Sequence, residues 1–460
     1  MRIVLAGLLV ASLLAGCLTG PGTPAGPAGG PPGTWGFSRA PSFPNAQPAV
    51  VTHLEPLARL MGADGEPFPT GSGNVVFGDY VFGSAQSHGF FIADIHDPAH
   101  PVLVYNSSSD GPTPFARKAD LIEHPDGRRT LVLATQSNGM HFWNVTDVRH
   151  PEFASVVEFD KNHNIAVVPG TELVFNNPSS GQGGTNGLVD ASDPYDPRLL
   201  GDFGAYGCHG TTFHGRFGDP DFRAYCAAIQ RTEIWDLTAL TTAPRVHGFG
   251  IRLLGAVEGA ADSPITGSPV ANPPIPPNAA GVTSTPLRNL HHFATASNDG
   301  RVLIVGDEHR GGGSPGACYA YNEAAGASTP MGALWFYDIA NPADPVLLSW
   351  ISPPTVTPVA PTPPSNPNPG PTVVAQGLNA AYTAVPNCTA HFGTVLPGED
   401  KIVIAWYSAG VLLIDFSDAA KPRILDQYQA PGINTWNARQ WGGYVFTGDI
   451  GRGMDVLKLA

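Results

Sequence analysis

The strongest constraint on this chain is that it repeats. "GFFIADIHDPAHPVLV" from Gly89, "GMHFWNVTDVRHPEFA" from Gly139, "NGLVDASDPYDPRLLG" from Asn186, "RTEIWDLTALTTAPRVHG" from Arg231, "GALWFYDIANPADPVLLS" from Gly332 and "GVLLIDFSDAAKPRIL" from Gly410 share one frame, and "GMDVLKLA" from Gly453 closes the chain. The frame is four or five apolar residues, an Asp or Asn, a turn that often carries Pro, and a short apolar strand. Asp94, Asn144, Asp190, Asp236, Asp338 and Asp415 hold one position, the first four spaced by roughly 46 to 50 residues, the period of a propeller blade. The runs are apolar at successive positions instead of alternating. An antiparallel strand has that pattern when its sheet is covered on both faces, as in radially packed blades. The repeated acid ends a strand and is placed to accept backbone N–H bonds in the following turn, a structural task.

A hairpin precedes each frame. "KADLIEHPDGRRTLVLAT", "HNIAVVPGTELVFNN", "HHFATASNDGRVLIVGDEH" and "CTAHFGTVLPGEDKIVIAWY" carry Asp-Gly or Pro-Gly at their tips. Each repeat therefore supplies strands A, B, C and D. The seventh lacks its D strand, and "AVVTHLEPLA", from Ala49 to Ala58, lacks the rest of a blade. The expected fold is all-β, a seven-bladed β-propeller of four-stranded antiparallel blades, its ring closed by the N-terminal strand, over residues 49–460. A chain of 460 residues is long enough to bury such a core.

"GLVDASDP", "GALWFYDIANPADP", "AGVLLIDFSDAAKP" and "YVFTGDIGRGMDVLKL" resemble the LVIVD-repeat proteins, a family of secreted or surface β-propellers. The resemblance covers nearly all of the chain after residue 48. It implies the fold and says little about activity. Asn144 and Lys458 depart from the acid of the frame.

Residues 1–16 have the plan of a lipoprotein signal peptide: Arg2, then an apolar stretch from Ile3 to Leu13 that is too short to span a bilayer. Leu14-Ala15-Gly16-Cys17 resembles the lipobox of bacterial and some archaeal lipoproteins, in which Cys17 would become the lipidated first residue. The other reading is an ordinary signal peptide that contains a Cys. Residues 17–48 are a Pro/Gly-rich tether. The expected localisation is extracytoplasmic, with the membrane as partner through Cys17. A net charge of −14 with no basic stripe excludes nucleic acid as a partner.

Histidines recur at the start of the A strands: His163, His209, His291 with His292, and His391, in four successive repeats. The second repeat has Asp120 at that place and the seventh Trp436-Asn437. In a propeller the A strand is innermost, so these imidazoles gather at one end of the axial channel. Imidazole is a common ligand of copper and zinc. Three uses of the ring are open: a transition-metal site, a hydrogen-bonded structural belt, or a polar rim for a small ligand. His291 and His292 are not told apart, because neighbouring strand residues point to opposite faces.

Glu308 and His309 join the same rim, as do the long connections Leu253–Pro286, Arg310–Met331 and Ser352–Asn387. Cys208 and Cys226 flank one hairpin, and Cys318 and Cys388 lie near the channel mouth. Of three connectivities, Cys208–Cys226 with Cys318–Cys388 suits these positions and an oxidising compartment, with metal ligation by the thiols as the competing use. His124 and the other scattered histidines read as surface or turn residues. No P-loop, G-x-G-x-x-G after a strand, or Ser-His-Asp arrangement is recognisable.

The expected function is a cell-surface binding or interaction module with a His-lined axial site, its ligand a protein or small molecule on the loop-rich face. The alternative is an extracytoplasmic metal-dependent oxidoreductase of copper type. Selenium-binding proteins are similar at the level of fold, being propellers with copper-binding histidines.

Overall fold

Six residues show why the repeat folds as it does. Asp94, Asn144, Asp190, Asp236, Asp338 and Asp415 each end a C strand, and the side-chain Oδ1 of each accepts the backbone N–H two residues on, at distances between 2.8 and 3.1 Å. This bond turns the chain from strand C toward strand D in the same way each time. The computed structural model describes residues 54–110, 114–136, 138–242, 249–258, 290–308, 332–351, 353, 389–450 and 452–460. They form seven four-stranded antiparallel sheets, the blades of a β-propeller. The proposed signal peptide, Cys17 and the tether lie outside the described residues.

The A strands of blades 1 to 7 are Asn74–Phe77, Lys118–Glu123, Asn164–Val167, Gly210–His214, His291–Ala296, Gly393–Val395 and Thr435–Trp441. They are innermost, and those of neighbouring blades meet around the axis. The C strands are sandwiched between blades. Phe90, Phe91, Ile92 and Ala93 of blade 1, and Val411, Leu412 and Leu413 of blade 6, are all buried. Burial of both strand faces explains the unbroken apolar runs.

Two devices recur that the repeat pattern does not display. The first is a bulge in every D strand. Leu57, Val104, Ala154, Leu200, Leu254, Leu348 and Leu425 are each skipped in the pairing with strand C. The second is a left-handed residue just past strand B. Gln86, Gln136, Ile229 and Tyr407 have φ of 50°, 66°, 65° and 44°. Each exchanges two backbone hydrogen bonds with the entry to the next blade, at Ala116, Asn162, His291 and Thr435 respectively. A non-glycine residue is strained in this region, and the reciprocal bonds hold it there.

The ring closes as expected. Leu54–Arg59 pairs antiparallel with Asp455–Leu459 and so completes blade 7. Asp455 locks the seam: it receives Arg59 Nε at 2.7 Å, Tyr428 OH at 3.0 Å and Arg452 Nε at 3.1 Å, and it is 3% exposed. One boundary differs from expectation. The D strand of blade 4 is Arg252–Glu258, later than the frame places it, so the connection assigned from Leu253 starts after that strand.

Substituting Asp455→Ala should cost about 1.5–3 kcal/mol, because it removes the buried carboxylate that two half-buried guanidinium groups and the Tyr428 hydroxyl share. Substituting Arg423→Ala, which breaks the exposed pair with Asp415, should cost less than about 1 kcal/mol. Urea unfolding of both variants checks the contrast, and equal losses would show that the seam is no stronger than a surface pair.

Candidate metal centre in the axial channel

The histidines reach the axis because the A strands begin irregularly. In blade 5, His291 faces Asp307 and Phe293 faces Gly306, so His292 is an extra residue. In blade 7, Trp436 is extra in the same way, between Thr435 and Asn437. In blade 6, Ala405 faces two residues: its C=O accepts from His391 N–H at 2.9 Å, and its N–H donates to Phe392 C=O at 3.1 Å. In blade 4, Ala227 accepts from His209 N–H and also pairs with Gly210. A bulge re-aims the side chain it carries. His209, His292, His391 and Trp436 thus line one cavity of about 310 Å³, together with His163, Arg117, Lys118, Glu308, Phe392 and Tyr407.

The imidazoles form an arc. Ring centroids are 4.5 Å apart for His163 and His209, 3.8 Å for His209 and His292, and 4.0 Å for His292 and His391. Trp436 stacks on His391 at 5.1 Å and ends the arc. Glu308, just past strand B of blade 5, reaches under it. Its Oε2 is 3.5 Å from His292 Nε2, and its Oε1 is 3.5 Å from His391 Nε2. Tyr407 OH donates to the same Oε1. One ligand atom from each of His209, His292 and Glu308 can be chosen so that all lie within 4.8 Å of one another.

Burial sets the protonation. It holds His209 and His292 well below the usual histidine pKa, and the neighbouring histidines add to this. It lowers His163 to about 3, with Arg117 and His391 contributing. Burial also raises Tyr407 well above the usual tyrosine value, reinforced by Glu308, so its phenol stays a donor. His391 Nδ1 donates to the backbone carbonyl of Trp436, which points Nε2 at Glu308. This is the backbone contact that typically orients a metal-ligating histidine.

The spacing is wider than a hydrogen bond and compatible with a shared metal ion. A charge-assisted N–H···O bond is about 2.7–2.9 Å long. Two ligands of one tetrahedral ion, at bond lengths of about 2.0–2.1 Å, stand roughly 3.3 Å apart. The two 3.5 Å separations fit the second case. The Nδ1 atoms of His209 and His292 are buried with no hydrogen-bond partner among the described residues. The buried group of His209, His292 and Glu308 could hold a metal ion.

The structure separates the adjacent histidines. His292 joins the arc, whereas His291 Nδ1 turns to Thr232 Oγ1 at 2.9 Å and holds blades 4 and 5 together. His291 does not line the cavity. Asp120 is not the blade 2 counterpart of the histidines either. Its carboxylate accepts the N–H groups of Leu121 and Val167, each at 2.9 Å, and Arg117 and Lys118 line the cavity instead. His309, Cys318 and Cys388 lie outside the described residues. Cys208 and Cys226 are disulfide-bonded.

His124 does sit in a turn but is 2% exposed. Its Nδ1 meets Glu172 at 2.6 Å and its Nε2 meets Thr130 Oγ1 at 2.8 Å. This Thr-His-Glu chain has the order of a nucleophilic triad. Thr130 is 1% exposed, however, and Glu172 comes from the next blade, so the chain acts as a staple between blades 2 and 3. Sequence reasoning also missed Phe392 and Tyr407. The residue after His391 and the residue two past strand B of blade 6 were the available signals.

No protein-family model matches the chain, and no curated protein matches it in sequence. Solved structures are similar. The crystal structure of Saccharomyces cerevisiae Sqt1 has a TM-score of 0.47 at 9% identity, covering 85% of this chain and 83% of that one. The computationally designed Ika8 protein has a TM-score of 0.46 at 11% identity, covering 88% of this chain and 99% of that one. The fold assignment rests on the seven sheets themselves.

The depressed histidines make the metal-free protein acid-sensitive. His291 stays neutral in the fold down to about 4, and His163 to about 3, while both protonate near 6.5 once unfolded. Within those windows the unfolded chain binds more protons. Stability should therefore fall as pH drops below about 6.5, by about 1.4 kcal/mol per pH unit for each such group. Urea midpoints at successive pH values measure the slope. His291→Asn should reduce it, and an unchanged slope would remove His291 as a cause.

Proposed function

We propose that this chain is a cell-surface lipoprotein whose β-propeller binds a transition metal, copper or zinc, through His209, His292, His391 and Glu308, and receives a small ligand in the adjoining cavity. The observation that carries this reading is the facing of His391 Nε2 and Glu308 Oε1 across 3.5 Å, with His391 Nδ1 already committed to Trp436. Three imidazoles and a carboxylate suit zinc and copper and suit calcium or magnesium poorly. The cavity beside the donors leaves room for an open coordination position, where a bound metal would act as Lewis acid or redox centre.

Membrane attachment through Cys17 and residues 17–48 would hold this mouth off the lipid surface. The Cys208–Cys226 disulfide supports an oxidising, extracytoplasmic compartment. A second reading, copper-dependent oxidation, is favoured by Tyr407 and Trp436. Their oxidisable rings lie 5.0 and 5.1 Å from the ring of His391.

The full-length chain, made through an oxidising secretory route, should carry close to one copper or zinc per molecule by mass spectrometry. Folded His292→Ala and His391→Ala variants should lose it, and His291→Asn should keep it. A parent that takes up neither ion, even after loading, would leave the histidines as a structural belt. Separately, Cys17→Ser should move the protein from the membrane to the soluble fraction, and continued membrane attachment would refute the lipid anchor.

A further inference from the structure

The cavity carries positive charge that the described residues do not neutralise. Arg117 and Lys118, at the start of strand A in blade 2, line the same space as the histidines, and Glu308 is the one carboxylate among the lining residues. A divalent metal would widen the excess. The Arg117 guanidinium lies 5.6 Å from the Phe115 ring and 5.7 Å from the Trp436 ring, which itself stacks on His391. Lys118 Nζ lies 4.9 Å from the Phe392 ring, which is 4.7 Å from both His292 and His391. Each cation is thus one aromatic ring away from the proposed ligands.

Aromatic faces orient a cation without cancelling its charge. Among the described residues neither Arg117 nor Lys118 forms an ion pair, and Arg117 Nε is buried with no hydrogen-bond partner. Burial lowers the pKa of both, opposed by Glu308 at Arg117 and by Asp120 at Lys118. The Lys118 stem runs over Gly73: a Cβ there would stand 2.5 Å from Lys118 Cδ, so a larger residue would push this side chain from its present path. Partly buried cations that no carboxylate contacts directly are costly, and an anion that offsets them is bound correspondingly well.

We infer that the ligand of this cavity is a small anion with at least two oxygen acceptors, a carboxylate or an inorganic oxyanion, held by Arg117 and Lys118 beside the histidine–Glu308 donors. The guanidinium fork matches paired oxygens, and Lys118 adds a point charge. A volume of about 310 Å³ limits the anion to a small molecule. The inference deepens the metal reading above, yet anion capture by the two side chains does not depend on the metal.

Calorimetric titration of the full-length chain with acetate, sulfate and inorganic phosphate tests it, on both chelator-stripped and zinc-loaded protein at constant ionic strength. At least one anion should bind with one-to-one stoichiometry to both forms. Arg117→Gln and Lys118→Met should each weaken it by about tenfold or more without changing metal content. Lys421→Gln, on an exposed turn, should have no effect. Circular dichroism checks the fold of each variant, and if one misfolds the other decides. Saturable binding to a protein that loads no metal would sustain this inference and defeat the metal reading. The inference is overturned if no anion binds saturably in either form, or if affinity ignores both substitutions.

Discussion

The pairing of Leu54–Arg59 with Asp455–Leu459 is the contact on which the rest of the molecule depends. Seven blades that each bury both faces need a neighbour on each side, and an open ring would leave two of them uncovered. Closure also fixes the cavity. Its lining runs from Arg117 in blade 2 to Trp436 in blade 7, and these two side chains touch only because blade 1 carries the chain around to meet blade 7. Asp455, holding Arg59, Tyr428 and Arg452 together, therefore stabilises a site to which it contributes no atom.

The site inherits its chemistry from departures in an otherwise regular scaffold. Where strand A keeps register, side chains such as Asp120, Thr212 and Thr394 bond the A strand of the next blade. Where an extra residue enters, as at His292 and Trp436, a side chain is released toward the channel. Tyr407 shows the same economy. Its left-handed backbone belongs to a series shared with Gln86, Gln136 and Ile229, whose bonds join successive blades. Among these four, the one in blade 6 carries a phenol that reaches Glu308. A structural turn has thus become an orienting group for a carboxylate.

Much of this was legible in the sequence, for a physical reason. A propeller is a linear series of similar units, so the spacing of Asp94, Asn144, Asp190 and Asp236 displays the blades directly, and the two unmatched chain ends announce the closing strand. The histidines were visible because they stand at one place in successive units. What stayed hidden were single-residue shifts. The bulge at His292 inserts a residue without altering composition, and so the sequence did not decide between His291 and His292. In blade 2, Asp120 stands two residues into the strand that begins at Lys118, and the channel is reached instead by Arg117 and Lys118 at its threshold. Phe392 and Tyr407 were missed because an aromatic residue in a blade is ordinarily core.

The bulge repeated in every D strand has a further meaning for how the molecule meets others. An outer strand with even, unpaired backbone groups invites a foreign strand to extend the sheet. Here Leu57, Val104, Ala154, Leu200, Leu254, Leu348 and Leu425 interrupt each outer strand near its middle. The circumference is thereby a poor template for backbone recognition. Association is left to the two ends of the ring, and one of those ends holds the channel mouth.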